Sequence, residues 1–313
     1  MRFDANPPSR SRSALVACKL CGFINLAVSL IRCPMMSSIR LAIALATMAL
    51  AQQVVAQPTD TMATLLHQDT RLAAIADHLL AANDALCRQH MPLTGMVLHS
   101  SDQYRSGVAG SAFANGPVAV EIVEPGSPAA AAGVQAGDGL AAIGPVRTSS
   151  LTAQGDAPLR DTVFAALADA PAGSPMALTI VRDGQERTVT LPARSGCRAL
   201  VEIRAENAFN ARSDGRVIQV NYGLAAAATD DELAVIFAHE MGHLVLEHRR
   251  RLEAAGVEKG FFGEFGKNQR LNRQVEVEAD RMAVHLLANA GYDPAIAPRF
   301  WRTSRNTSSS TVT

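Results

Sequence analysis

His239, Glu240 and His243 have the residue types and the spacing to hold and use a metal ion. They lie in His239-Glu240-Met241-Gly242-His243, an H-E-x-x-H run. On a helix, two histidines four apart share a face and stand a turn apart, where both imidazoles can reach one ion. Zinc accepts neutral imidazole nitrogen, and a catalytic zinc keeps one position open for water. A glutamate beside the first histidine can take a proton from that water. The competing reading is a buried helix whose histidines merely pack or hydrogen-bond. The surrounding elements decide between the two.

Those elements favour a site. Thr229 to Glu232 reads T-x-x-E, a capping box that opens a helix, and its acidic residues suit the positive helix end. Leu233, Ile236, Phe237, Met241, Leu244 and Val245 recur at helical spacing, and Arg249, Arg250 and Arg251 follow where cations are favoured. The pattern predicts one long amphipathic helix carrying the motif. A two-histidine zinc site needs a third protein ligand. A second predicted helix, from Asn268 to Ala290, offers Glu276 and Asp280 on one face. Glu278 stands about 200° round from Glu276, so those two cannot share a role. Glu276 is assigned as the third zinc ligand. Asp280 is assigned behind a ligand histidine, holding its other ring nitrogen. Ala279 and Ala283 leave room for close approach to the motif helix.

The whole chain has 313 residues, enough for two domains. Its 29 basic and 29 acidic side chains balance, which leaves no electrostatic footprint for nucleic acid. Met36 to Arg40 is a short basic start, Leu41 to Leu50 is apolar, and Val54-Val55-Ala56 offers small residues to a signal peptidase. The expectation is a signal peptide at 35–56, cleaved before Gln57, behind a doubtful upstream extension at 1–34. A membrane anchor is the weaker reading, because Gln52 and Gln53 interrupt the run before it reaches spanning length. Cys18 and Cys21 form a C-x-x-C with no second pair nearby, a poor zinc ribbon. Past the cleavage point Cys87 and Cys197 are left, and two cysteines in an exported chain suggest one disulfide. The other reading is a pair of buried thiols.

Thr61 to Arg88 carries the apolar stripe of a helix, which Pro92 ends. From there to Ala193 the texture is short strands, glycines and prolines. Val118–Val123 and Leu140–Ile143 read as strands, Leu159–Leu167 as a helix. Met176–Val181 and Arg187–Leu191 read as a hairpin about Asp183-Gly184. Ala199–Ile203 and Val217–Val220 then read as strands around a turn at Ser213-Asp214-Gly215. The segment 256–266 reads as a loop.

The run "VEPGSPAAAAGVQAGDGLAAIG", continued by "LRDTVFAALADAPAGSPMALTIVRDGQERTVTL", resembles a bacterial PDZ domain over residues 92–194. The resemblance implies an extended peptide added as a strand, with its C-terminal carboxylate held in a backbone nest, here at Leu93-Thr94-Gly95-Met96. Gly139 and Gly144 depart from the family's apolar residue and asparagine. "GRVIQVNYGL" at 215–224, "DDELAVIFAHEMGHLVLEH" at 230–248, "EVEADRMA" at 276–283 and "AGYDP" at 290–294 resemble the HtpX-like and CAAX prenyl endopeptidases, peptidase family M48. The resemblance implies one Zn2+ held by His239, His243 and Glu276, with Glu240 as general base. The motif "NAF" at Asn207, Ala208 and Phe209 fits as well, and a strand near it is expected to pair with an extended substrate at a sheet edge.

The expected fold is α+β: a mainly helical zincin-type (gluzincin) metallopeptidase domain with a small sheet, plus an inserted PDZ sandwich or barrel. Residues 57–91 give its first helix, 92–194 the insertion, 195–301 the catalytic domain, and 302–313 a disordered tail. A Cys87–Cys197 disulfide would close the neck of the insertion. The expected function is a zinc metalloendopeptidase acting on unfolded polypeptides or C-terminal peptides. Its expected place is the periplasm or envelope of a bacterium, with no transmembrane anchor in the mature chain. A PDZ-led adaptor or chaperone with a vestigial zinc site is the alternative. Relatives carry a further histidine-bearing segment beyond this point, so the oxyanion partner stays open among Tyr292, Arg299 and Arg302. His248 is expected to pack or cap rather than ligate. His285, His67, His78, His90 and His99 have no ligand spacing.

Overall fold

Helix α1 (Pro58–Ala82) buries Leu72, Ile75, Ala76, Leu79 and Leu80, a stripe at three- and four-residue spacing. It stops before the expected Arg88. Asn83 is buried, and its amide donates to the carbonyls of Leu79 (2.9 Å) and Leu286 (3.1 Å), which ends the helical ladder. Leu86, expected inside the stripe, is exposed. The structure is a computed structural model that describes residues 58–104, 111–257 and 267–309. The expected extension at 1–34, the signal peptide at 35–56 with Cys18 and Cys21, and most of the 256–266 loop lie outside the described residues. Among the described residues no helix is long and apolar enough to cross a membrane.

The protein is α+β. Strand β1 (His90–Pro92) leads into an inserted lobe of β2 (Met96–Ser100), β3 (Val118–Val123), α2 (Pro128–Ala131), β4 (Gly139–Ile143), β5 (Val146–Arg147), α3 (Leu159–Ala168), β6 (Met176–Arg182) and β7 (Gln185–Leu191). These strands form one antiparallel sheet in the order β2-β3-β4-β6-β7, with β5 beside β4. The expected sandwich or barrel is thus an open sheet: among the described residues β7 does not pair back to β2. The β6–β7 hairpin turns at Asp183 (φ 55°) and Gly184 (φ 74°), the left-handed pair that matches strand twist. Val163 and Leu167 of α3 pack on Val120, Leu178 and Leu191 of the sheet.

Strand β8 (Ser195–Cys197) returns to pair antiparallel with β1, His90 opposite Cys197. The two ends of the insertion therefore meet. The Cys87–Cys197 disulfide stitches them, with Cα atoms 5.4 Å apart.

The helical lobe adds β9 (Leu200–Arg204), β10 (Ala211–Ser213), β11 (Val217–Asn221), α4 (Tyr222–Ala227), α5 (Asp230–Val245), α6 (His248–Ala254), α7 (Lys267–Asn289) and α8 (Ile296–Ser309). The strand order is β10-β11-β9. β9 and β11 are parallel, so the Ser213-Asp214-Gly215 turn joins β10 to β11 and not the two expected strands. Three residues are too few to show a strand period, which is why β10 was not expected.

Helix α5 opens on the capping box: Glu232 N donates to Thr229 Oγ1 (3.3 Å), and Thr229 N donates to Glu232 Oε2 (2.9 Å). Arg71 of α1 ties this corner, pairing with Asp230 at 2.7 Å and donating to the Ala228 carbonyl at 2.8 Å. Leu233, Phe237 and Met241 are fully buried, each stabilising the lobe by about 1.5–3 kcal/mol. The helix does not run on through the three arginines as expected. Glu247 takes a left-handed conformation (φ 52°), and its carboxylate is held by Arg88 and Arg250 at 2.7 Å each. The chain turns there and α6 starts at His248. The expected tail from 302 instead continues α8 to Ser309. Ile296 and Ala297 are buried and start the helix against the core, and no Gly or Pro follows Pro298 to stop it.

The disulfide closes a 110-residue separation, for which chain entropy gives about 4–5 kcal/mol as an upper figure. Reducing it, or replacing Cys87 by Ser, is expected to cost about 2–5 kcal/mol in urea unfolding. Identical midpoints with and without reductant would remove the disulfide from the stability of the neck.

Candidate metal centre

The site is made where α7 crosses α5. Gly242 permits the crossing. A Cβ there would lie 3.1 Å from the Ala279 carbonyl oxygen and 3.2 Å from its Cα. Ala279 and Ala283 are fully buried in the same seam, and Val275, Leu286 and Leu287 extend it. Small residues on both helices bring the backbones close. Glu276 and Asp280, one turn apart on α7, then face His239 and His243, one turn apart on α5.

His239 Nε2 and His243 Nε2 lie 3.2 Å apart. Glu276 places one oxygen 3.3 Å from His239 Nε2 and the other 3.7 Å from His243 Nε2. Atoms about 2.0–2.1 Å from one zinc ion at tetrahedral angles stand roughly 3.3–3.4 Å from each other. Two imidazole nitrogens and a carboxylate at these separations are close enough to share one ion of that kind. Among the described residues they are the one group of three or more such donors close enough to share an ion.

The candidate donors are braced from behind. His239 turns its other nitrogen, Nδ1, to Asp280 Oδ1 at 3.0 Å. His243 turns its Nδ1 to Nδ1 of His248 at 2.9 Å. His248 is almost fully buried, and its Nε2 meets Glu278 Oε2 at 3.1 Å. Arg251 donates to that oxygen at 2.6 Å and holds the Glu278 carboxylate down to about 2. The turn at Glu247 is what brings His248 back over His243. Helical spacing alone could place neither His248 nor Glu278 in the site. A charged residue half-turned from the ligand row was the only sign.

Burial opposes charge on His239, but Asp280 and Glu276 outweigh it and lift the imidazole to about 10. Burial holds His243 down to about 4 against the pull of Glu276. The hydrogen bond to His239 keeps Glu276 below the usual carboxylate range. Glu240 is buried, and burial pushes its carboxyl up to about 7; His239 and the backbone N–H of Ser213 pull the other way. Ser213 belongs to β10, whose outer edge is unpaired among the described residues. That edge borders a cleft of about 780 Å³ lined also by His239, Glu240, His243, Glu276 and Asn272.

Other expected residues fall elsewhere. Asn207, Ala208 and Phe209 form an exposed loop before β10 and not a strand, and the Asn207 backbone lies so close to Gly223 that a Cβ there would collide with its carbonyl oxygen. Phe209 is 73% exposed. Tyr292 lies tilted against His78, ring centroids 5.7 Å apart, near Asp230 and Asp231 at the far end of α5. Arg299 binds Asp293 at 2.9 Å, and neither it nor Arg302 lines the cleft. His90 pairs with Asp84 and His99 with Tyr104, while His67 and His285 are exposed.

Replacing Asp280 by Ala is expected to weaken zinc binding about 10–100-fold in a competition titration with a chelating dye, and replacing His248 by Ala to act in the same direction. Unchanged affinity in both variants would show that the bracing does not serve the ligands.

Residues 185–262 match the model of peptidase family M48. The match contains His239, Glu240 and His243 and ends before Glu276. No curated protein matches the chain. A solved structure described as HtrA-type protease AlgW with decapeptide is 21% identical over 35% of this chain and 30% of that one, with a TM-score of 0.26. So low a TM-score settles nothing about the fold. The match over residues 185–262 supports a place in peptidase family M48, and with it a metallopeptidase function, the hydrolysis of peptide bonds.

Proposed function

We propose that the chain is a zinc metalloendopeptidase of the HtpX-like, exported branch, with a zincin-type catalytic lobe and an inserted PDZ domain. The observation that carries the reading is the gathering of His239, His243 and Glu276, one donor atom from each lying within 4.8 Å of the others, beside Glu240. The Cys87–Cys197 disulfide supports an oxidising compartment such as the periplasm.

His239, His243 and Glu276 would hold the ion. When bound, zinc would supply Lewis-acid polarisation of the scissile carbonyl and acidify the attacking water. Glu240 would take a proton from the attacking water and pass it to the leaving amine. The free edge of β10 would hold an extended substrate by main-chain hydrogen bonds, so an unfolded polypeptide fits better than a folded one. Polypeptides of the cell envelope are the proposed substrates.

Replacing Glu240 by Gln is expected to leave one zinc per chain and to lower cleavage of unfolded casein by about 100-fold or more. A chelator should abolish cleavage by the parent protein. Cleavage at the parental rate by the variant would sink the assignment of the base.

A further inference from the structure

Helix α3 belongs to two cores. Val163 and Leu167 face the sheet of the inserted lobe. Phe164 and Ala168, each one residue on and so about 100° round the helix, join the core of the helical lobe. The helix is tied to the helical lobe at both ends. Near its start, Arg160 pairs with Glu202 of β9. At its end, Arg198 donates to the Ala168 carbonyl at 3.0 Å and to Asp169 at 2.6 Å. Arg194, on the return to β8, holds Asp77 of α1 at 2.7 Å.

These ties close a groove. β2 ends the sheet and pairs with β3 alone among the described residues. Its other edge faces α3, the arrangement that adds an extended peptide as a strand. The space between them is only about 100 Å³, against roughly 300 Å³ or more for a working ligand site. The missing room is taken by the chain itself: Leu72, Ala76 and Leu80 of α1 and Leu200 to Glu202 of β9 line the same space. The fastening gathers several carboxyl groups about one cation. Asp69 of α1 and Glu121 of β3 join Glu202 around the one guanidinium of Arg160, and burial together with Glu121 pushes Asp69 up to about 7.

We propose that α1 and β9 form a built-in cover over the groove between β2 and α3, so that a peptide reaches the β2 edge only when the cover parts from the inserted lobe. The identity of the occupant, an extended peptide, rests on the PDZ reading above; the cover itself rests on the packing. In this arrangement the groove is self-inhibited. Its opening disturbs α1 and β9, which pack in one core with the motif helix α5.

The test uses the full chain in three forms: parent, Glu202→Arg and Arg194→Ala. Hydrogen exchange is read at the amides of Val97, Leu98 and His99, and binding is read with a fluorescein-labelled decapeptide that ends in an apolar residue and a free carboxylate. Circular dichroism and zinc content establish that each form is folded. The expected result is about tenfold faster exchange and about tenfold tighter peptide binding in Glu202→Arg, with a smaller change of the same sign in Arg194→Ala. Parental exchange rates in both folded variants, or peptide binding to the parent as tight as to the variants, would overturn the cover. Faster exchange with no peptide bound by any form would overturn the PDZ reading of the groove and leave the cover standing. Casein cleavage in the same samples reports separately on the zinc peptidase reading.

Discussion

The contact between α5 and α7 at Gly242 and Ala279 is the constraint on which the site depends. No residue other than glycine at 242 would let the Ala279 backbone come so near without a shift of the helices. Glu276 and Asp280 stand on the flank of that contact. A side chain in the seam would push the helices apart by a few tenths of an ångström, a sizeable part of the roughly 0.5 Å within which a metal site must be held. The fully buried Leu233, Phe237 and Met241 on one helix, and Leu286 and Leu287 on the other, supply the packing that fixes the crossing. The capping box and Arg71 fix where α5 begins, and so which turn of it meets α7.

The histidine pair, Glu240, Glu276 and Asp280 were legible because each follows from local periodicity: four residues make one turn, and one turn keeps a face. The hairpin at Asp183-Gly184 and the capping box were legible for the same local reason. What depended on long-range packing was not. The break at Glu247 needs a left-handed residue held by Arg88, far away in the chain, and without that break His248 and Glu278 have no reason to join the site. The strand β10 is too short to carry a pattern, yet its Ser213 N–H reaches Glu240. The stop of α1 at Asn83 comes from a carbonyl on α7, two hundred residues on.

The insertion shows how two lobes are made one body. Its ends meet in the β1–β8 pair, and the disulfide lies beside them. A simple hinge at such a neck would leave the lobes free to turn. Here α3 prevents it, because adjacent faces of one helix are buried in two different cores. Apolar packing gives the seam its strength, and Arg160, Arg194 and Arg198 give it direction. Half-buried ion pairs of this kind add less to stability than to the choice of one geometry over another.

The central claim is that one zinc ion is shared by His239, His243 and Glu276. Crystals of the zinc-loaded protein, measured on both sides of the zinc absorption edge, test it most directly. The account requires one anomalous peak about 2.0–2.2 Å from both Nε2 atoms and from a Glu276 oxygen, with Asp280 and His248 behind the ligands. A peak bound by His248 or Asp280 in place of Glu276, or no peak between the two helices at full zinc occupancy, would contradict it.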